Sequence, residues 1–112
     1  MSQGKKLHVL TYGELERLAD LFRTFSEPTR LALLQELKAG PRAVGELVDA
    51  LQATQANVSK QLKHLHQAGL VSRSREGTSV IYSIAEPLVF EICKLACEKL
   101  NRDAAKLVRL RF

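Results

Sequence analysis

The stretch from residue 53 to residue 84 leaves this chain few ways to fold, because a polar turn, an apolar-striped helix and a basic hairpin follow one another with almost no slack. Val58, Leu62 and Leu65 recur at i, i+4 and i+7, one face of a helix, while Gln55, Asn57, Lys60, Lys63 and Gln67 fall on other faces. Thr54 supplies an N-cap hydroxyl and Gly69 a residue that tolerates positive φ, which bounds the helix at about residues 55–68. Beyond Gly69, residues 70–75 and 79–84 flank Glu76-Gly77, and Val80, Tyr82 and Ile84 alternate with Ile81 and Ser83 at the period of a strand. The pattern predicts a β-hairpin with a tight turn at Gly77.

Upstream, Val44, Leu47, Val48 and Leu51 predict a second short helix, with only Gln52, Ala53 and Thr54 between the two. Helices joined so tightly match a helix-turn-helix, in which the second helix lies in the DNA major groove. An ordinary helical hairpin with a solvated basic face is the bland alternative. The hairpin that follows, and the run from Ala50 to Arg75 that contains Lys60, Lys63, Arg73 and Arg75 but no Asp or Glu, weigh against it.

Composition agrees in sign. The 112 residues carry Lys+Arg 17 against Asp+Glu 12, a net charge of +5 that favours a polyanionic partner. That length fits one domain, expected to span residues 1–112. No apolar run approaches the roughly 20 residues of a membrane span, and residues 1–10 lack the apolar core of a signal peptide, so the expectation is a cytoplasmic protein with no membrane partner.

Taken in order, residues 1–9 show no periodicity and are expected to fray through Lys6. Thr11 and Glu14 form a capping-box pattern ahead of Leu15, Leu18, Phe22 and Phe25, predicting a helix over residues 12–25 whose stripe serves the core or a dimer interface. Ser26-Glu27-Pro28-Thr29 caps a helix over residues 29–38, where Leu31, Leu34 and Leu37, with Ala32 and Leu33 beside them, leave Arg30 and Gln35 as the exposed positions. Gly40-Pro41 ends it. After the hairpin, Glu86-Pro87 opens a last helix striped by Val89, Ile92, Cys93, Ala96, Cys97 and Leu100, a face that wants a partner. The ending, residues 99–112, mixes Lys106, Arg109 and Arg111 with Leu107, Val108 and Leu110 and either extends that helix or forms a short basic one.

Several strings in this chain carry a family resemblance: Phe25-Ser26-Glu27-Pro28-Thr29-Arg30-Leu31, Gly45-Glu46-Leu47, Val58-Ser59-Lys60-Gln61-Leu62-Lys63-His64-Leu65, Ala68-Gly69-Leu70-Val71 and Arg75-Glu76-Gly77. Together, over about residues 22–87, the chain resembles the ArsR family. The resemblance implies a mainly α winged helix-turn-helix of about five helices and a two-stranded wing, with residues 11–25 and 87–105 as dimerisation helices, 44–68 as the helix-turn-helix and 70–84 as the wing. It also implies a homodimeric transcriptional repressor that an inducer releases from double-stranded operator DNA. On that reading Gln55, Asn57 and Ser59 lie at base edges, while Lys60, Lys63, Arg73, Arg75 and Thr78 hold phosphates or the minor groove and His64 lies near DNA. A metal-sensing branch of the family carries Cys-Val-Cys at positions that are Ala43, Val44 and Gly45 here, and another uses Asp, His and Glu on the last helix, where this chain has no histidine after His66. Neither site is expected.

Cys93 and Cys97, four apart on the last helix, are the remaining candidates. A two-fold dimer could bring two such pairs together as soft ligands for a thiophilic metal or metalloid inducer, or as an oxidisable set. Packing as small hydrophobes is the alternative. Some redox-sensing relatives pair a last-helix cysteine with one in the second helix, which here has none. His64 and His66 are two apart and diverge on a helix, so they do not form a metal site. Arg30 reads as a phosphate or structural ion-pair contact. With no phosphate loop, Ser-His-Asp order or Cys-His pair, the chain is not expected to be an enzyme or to hold a resident cofactor.

Overall fold

The structure, a computed structural model, describes residues 8–103 and 109–112. Expectations for residues 1–7 and 104–108 lie outside the described residues. Eight elements follow in order: α1 (Tyr12–Thr24), α2 (Pro28–Leu37), β1 (Arg42–Ala43), α3 (Val44–Leu51), α4 (Gln55–Gln67), β2 (Val71–Glu76), β3 (Ser79–Ile84) and α5 (Leu88–Asp103).

Side chains placed by the sequence set the helix ends. The Thr11 hydroxyl accepts from the Glu14 amide at 3.2 Å while the Glu14 carboxylate accepts from the Thr11 amide at 2.9 Å, a complete capping box. The same bond from the Thr11 amide, and then the neighbouring His8, hold the Glu14 carboxyl below its ordinary pKa. Glu27 caps α2 by accepting from the Arg30 amide at 2.8 Å, with Pro28 in the first turn, where its missing N–H is not needed. The Thr54 hydroxyl accepts from the Asn57 amide at 3.2 Å to open α4. Gly69, at φ +78°, closes it; the Leu70 amide reaches back to the Leu65 carbonyl and the Gly69 amide to that of His66, both at 3.0 Å, a Schellman arrangement. The turn between α3 and α4 is tightened by Gln52, a non-glycine residue at φ 51°.

The sheet has three strands, not two. Its order is β1-β3-β2 with antiparallel neighbours, Arg42 and Ala43 pairing with Tyr82 and Ile81. Two residues behind Pro41 are too short to show an alternating pattern, which is why the first strand is not legible in the sequence. The hairpin turn also shifts by one residue, because Glu76 pairs with Ser79 and leaves Gly77-Thr78 as the two-residue loop. Gly77 takes φ +65° at its first position, where a side chain would be strained.

The core gathers Leu33, Leu34 and Leu37 of α2, Leu47 of α3, Val58, Leu62 and Leu65 of α4, Val71 and Tyr82 of the sheet, with Leu70 and Val89. Leu33 and Leu34 are fully buried and Leu31 only half-buried, because α3, α4 and β3 all pack on α2. Arg30, expected outside, is buried, whereas Gln35 is exposed as expected. By contrast, α1 buries only Thr24 and α5 only Val89 and Cys93. Residues 109–112 are not helical: the Leu110 main chain pairs with the Asn101 amide at 2.7 and 2.9 Å, and Phe112 lies 6.4 Å from the Phe90 ring.

Candidate nucleic-acid interface

Between the first turn of α4 and the hairpin lies an open groove of about 650 Å³. Gln55 and Ser59 form one wall and Arg73, Arg75 and Thr78 another, with the start of α3 at Val44 and Gly45 closing the end. Five of the nine sequence-predicted contact residues therefore share one cavity, and no Asp or Glu lines it. The register explains the wall: Arg73 and Arg75 sit across from Tyr82 and Val80, two residues apart on β2, so their side chains leave the same face of the strand.

Lys60, Lys63 and His64 do not line the groove; they stand exposed farther along α4. A helix bearing polar side chains at its amino-terminal end and cations along its length is suited to put the former against base edges while the latter meet phosphate. The inner face of the helix, Val58, Leu62 and Leu65, is fully buried, so the outer face is held in one orientation.

Asn57 differs from its neighbours. It is half-buried, and its side-chain oxygen accepts from Gln61 at 3.1 Å. Gln61 in turn meets Arg30 at 2.7 Å. Neither Gln61 nor the burial of Arg30 was legible in the sequence; a glutamine among Val58, Leu62 and Leu65, four residues from Asn57, was the available signal for Gln61.

This arrangement has known counterparts. Residues 27–73 match the model of the bacterial regulatory protein, arsR family. Over 85 residues, 75% of this chain and 75% of the other, the chain is 38% identical to an uncharacterized HTH-type transcriptional regulator of Mycobacterium tuberculosis, Rv0081. The chain belongs to the arsR family of bacterial regulatory proteins. The crystal structure of that mycobacterial protein superposes with a TM-score of 0.71 at 34% identity, covering 85% of this chain and 94% of that one. Over 88 residues, 78% of this chain and 70% of the other, it is 38% identical to a probable mercury resistance operon repressor of Streptomyces lividans. A homodimeric winged helix-turn-helix DNA-binding domain of Mycobacterium bovis shares the fold at TM-score 0.72 and 24% identity, covering 96% of this chain and 99% of that one. As an arsR-family member the chain is a DNA-binding transcription regulator and not an enzyme.

The two cysteines lie outside the groove, on α5. Both are free thiols. Cys93 is buried, and burial first, then the neighbouring Cys97, push its thiol pKa up. Cys97 is half-buried and borders a cleft of about 340 Å³ with Lys38, Lys94, Glu98 and residues 110–112. Among the described residues, no three His, Cys, Asp or Glu side chains gather as a metal site. No described helix is long and apolar enough to cross a membrane.

Proposed function

We propose that the chain is a homodimeric repressor that sets one α4 helix in each half-site of an operator, with half-sites about one helical turn apart. The acid-free groove joining Gln55 and Ser59 to Arg73, Arg75 and Thr78 carries this reading. Gln55, Asn57 and Ser59 meet base edges, Lys60, Lys63 and His64 meet the flanking phosphates, and the wing residues grip the backbone or the minor groove. Leu15, Leu18 and Phe22 on α1 and Leu88 and Leu95 on α5 form the dimer contact, since a helix pair so poorly covered by its own chain leaves large apolar side chains in water. Such a protein works where the chromosome lies, in the cytoplasm. Selection of bound duplexes from a random pool tests the proposal; recovery of a two-fold-related pair of half-sites supports it, and a pool that stays random defeats it.

A second reading concerns release. A soft metal or metalloid, or an oxidant, would reach Cys97 before Cys93, and a two-fold dimer could bring the pairs of two protomers together. The related Streptomyces lividans protein bears the name of a mercury resistance operon repressor. The burial and raised pKa of Cys93 favour the other alternative, a regulator whose cysteines only pack. Titration of the operator complex with arsenite, cadmium, a polysulfide and peroxide separates them: dissociation by any one supports release through these thiols, and indifference to all four supports packing.

A further inference from the structure

A line of hydrogen bonds, buried at its centre and part-buried at its ends, runs from the end of α1 to the reading face of α4. Arg30 donates through Nε to the Thr24 carbonyl at 2.8 Å and through Nη2 to the Arg23 carbonyl at 3.0 Å, capping the last turn of α1. Its Nη1 donates to Gln61 Oε1 at 2.7 Å, and Gln61 Nε2 donates to Asn57 Oδ1 at 3.1 Å. Arg30 is 9% and Gln61 7% exposed, so water does not substitute in the bonds of Arg30 to Thr24 and Gln61.

The direction of this line is not free. A guanidinium has donors and no acceptor, so the end of the Gln61 amide that meets it must be the oxygen. The amide nitrogen is left for Asn57, which must then offer its own oxygen. The orientation of a side-chain amide is ordinarily ambiguous, but here a donor-only group at one end decides both. Asn57 Nδ2 has no hydrogen-bond partner among the described residues.

We propose that Arg30, acting through Gln61, fixes the polarity of the Asn57 amide, so that α4 presents a donor at this position and reads a base edge that offers an acceptor. Arg30 and Gln61 are positioning residues; only Asn57 touches DNA. An unrestrained asparagine pairs with adenine through both ends of its amide, donating to N7 and accepting from N6. With Oδ1 drawn inward to Gln61, only its second lone pair is left for N6, and that two-point pairing is weakened. Guanine, whose N7 and O6 are both acceptors, becomes the preferred base and cytosine, with its amino donor, the disfavoured one.

The inference rests on the placement of Asn57 at a base edge, and the experiment separates the two. Operator preferences are measured base by base for the wild type, Asn57→Ala and Gln61→Glu. Asn57→Ala identifies the position that Asn57 reads by flattening the preference there; if it alters no position, the base-edge placement and this inference both fail. In Gln61→Glu, both carboxylate oxygens accept. One remains with Arg30, and the other draws in Asn57 Nδ2, turning the Asn57 oxygen outward. Preference at the identified position should then move from guanine toward cytosine by roughly tenfold. A Gln61→Glu protein that keeps the wild-type preference overturns the polarity mechanism while leaving the base-edge placement intact. Hydrogen exchange in the unbound wild type gives a reading that needs no variant to fold. The Gln61 side-chain NH2 should be protected and the Asn57 NH2 should exchange nearly as fast as in a free amide; the reverse order overturns the proposal.

Discussion

At the residue scale, the division between cations and amides on α4 predicts different losses. Lys63→Ala should weaken binding to all sequences alike and lower the salt dependence by about one unit, whereas Gln55→Ala should cost about 1–3 kcal/mol at one base position only. Both are read by titrating specific and random duplexes over a range of salt; a Lys63→Ala effect confined to the specific duplex would contradict the assignment. The thiols differ in the same way. Alkylation of the native protein near neutral pH should modify Cys97 before Cys93, because the Cys93 thiol is buried and its pKa lies above the ordinary value. As a group with a raised folded pKa, Cys93 lends its stability below the ordinary thiol value and loses it as the pH rises through the folded one. Mass spectrometry of partly labelled protein decides the order.

At the scale of elements, caps and turns do much of the specifying. Glu14 has a lowered pKa in the folded chain, so its contribution to α1 is present above the ordinary carboxylate value of 4.5 and fades as the pH falls through the folded one. Glu14→Gln should remove that acid-dependent part, visible as a flatter loss of α1 protection in amide exchange below that value. The turn into α4 is held by Gln52 in the left-handed region, which costs a side-chain-bearing residue about 1–2 kcal/mol. Gln52→Gly should therefore leave the protein unchanged or stabilise it by up to about 1 kcal/mol, measured by urea denaturation, since the lost strain is partly offset by glycine's larger entropy when unfolded. A marked destabilisation would place Gln52 in contacts beyond the turn.

For the whole molecule, the uncovered faces of α1 and α5 decide the expected assembly. Phe22 is 55% and Leu95 63% exposed, large apolar side chains that their own chain leaves in water. Phe22→Glu together with Leu95→Glu should leave each chain folded, because neither side chain belongs to the core, yet yield monomers by sedimentation. Operator affinity should fall at least hundredfold, since a single wing and helix then bind one half-site without the partner that shares the cost of association. Double-glutamate protein that sediments as a dimer would move the interface elsewhere.

By itself the sequence determined what repeats at short range. The apolar period of Val58, Leu62 and Leu65, the hydroxyl of Thr54 and the freedom of Gly69 determine α4 within one residue, and the spacing of Val44, Leu47, Val48 and Leu51 marks α3 as the strand alternation marks most of the hairpin. The candidate contacts on α4 were legible because a helix with one apolar face must show the other. Tertiary structure alone decided three things: that Arg42 and Ala43 add a strand to the hairpin, that Gln55 and Ser59 share a groove with Arg73, Arg75 and Thr78, and that Arg30 is buried. A two-residue strand has no period, and a groove between elements depends on how they dock. An arginine carries the same charge inside or out, so its place is decided by whether distant acceptors meet its donors. For Arg30 these are two carbonyls at the end of α1 and an amide 31 residues away, brought together only when α2 packs against α4.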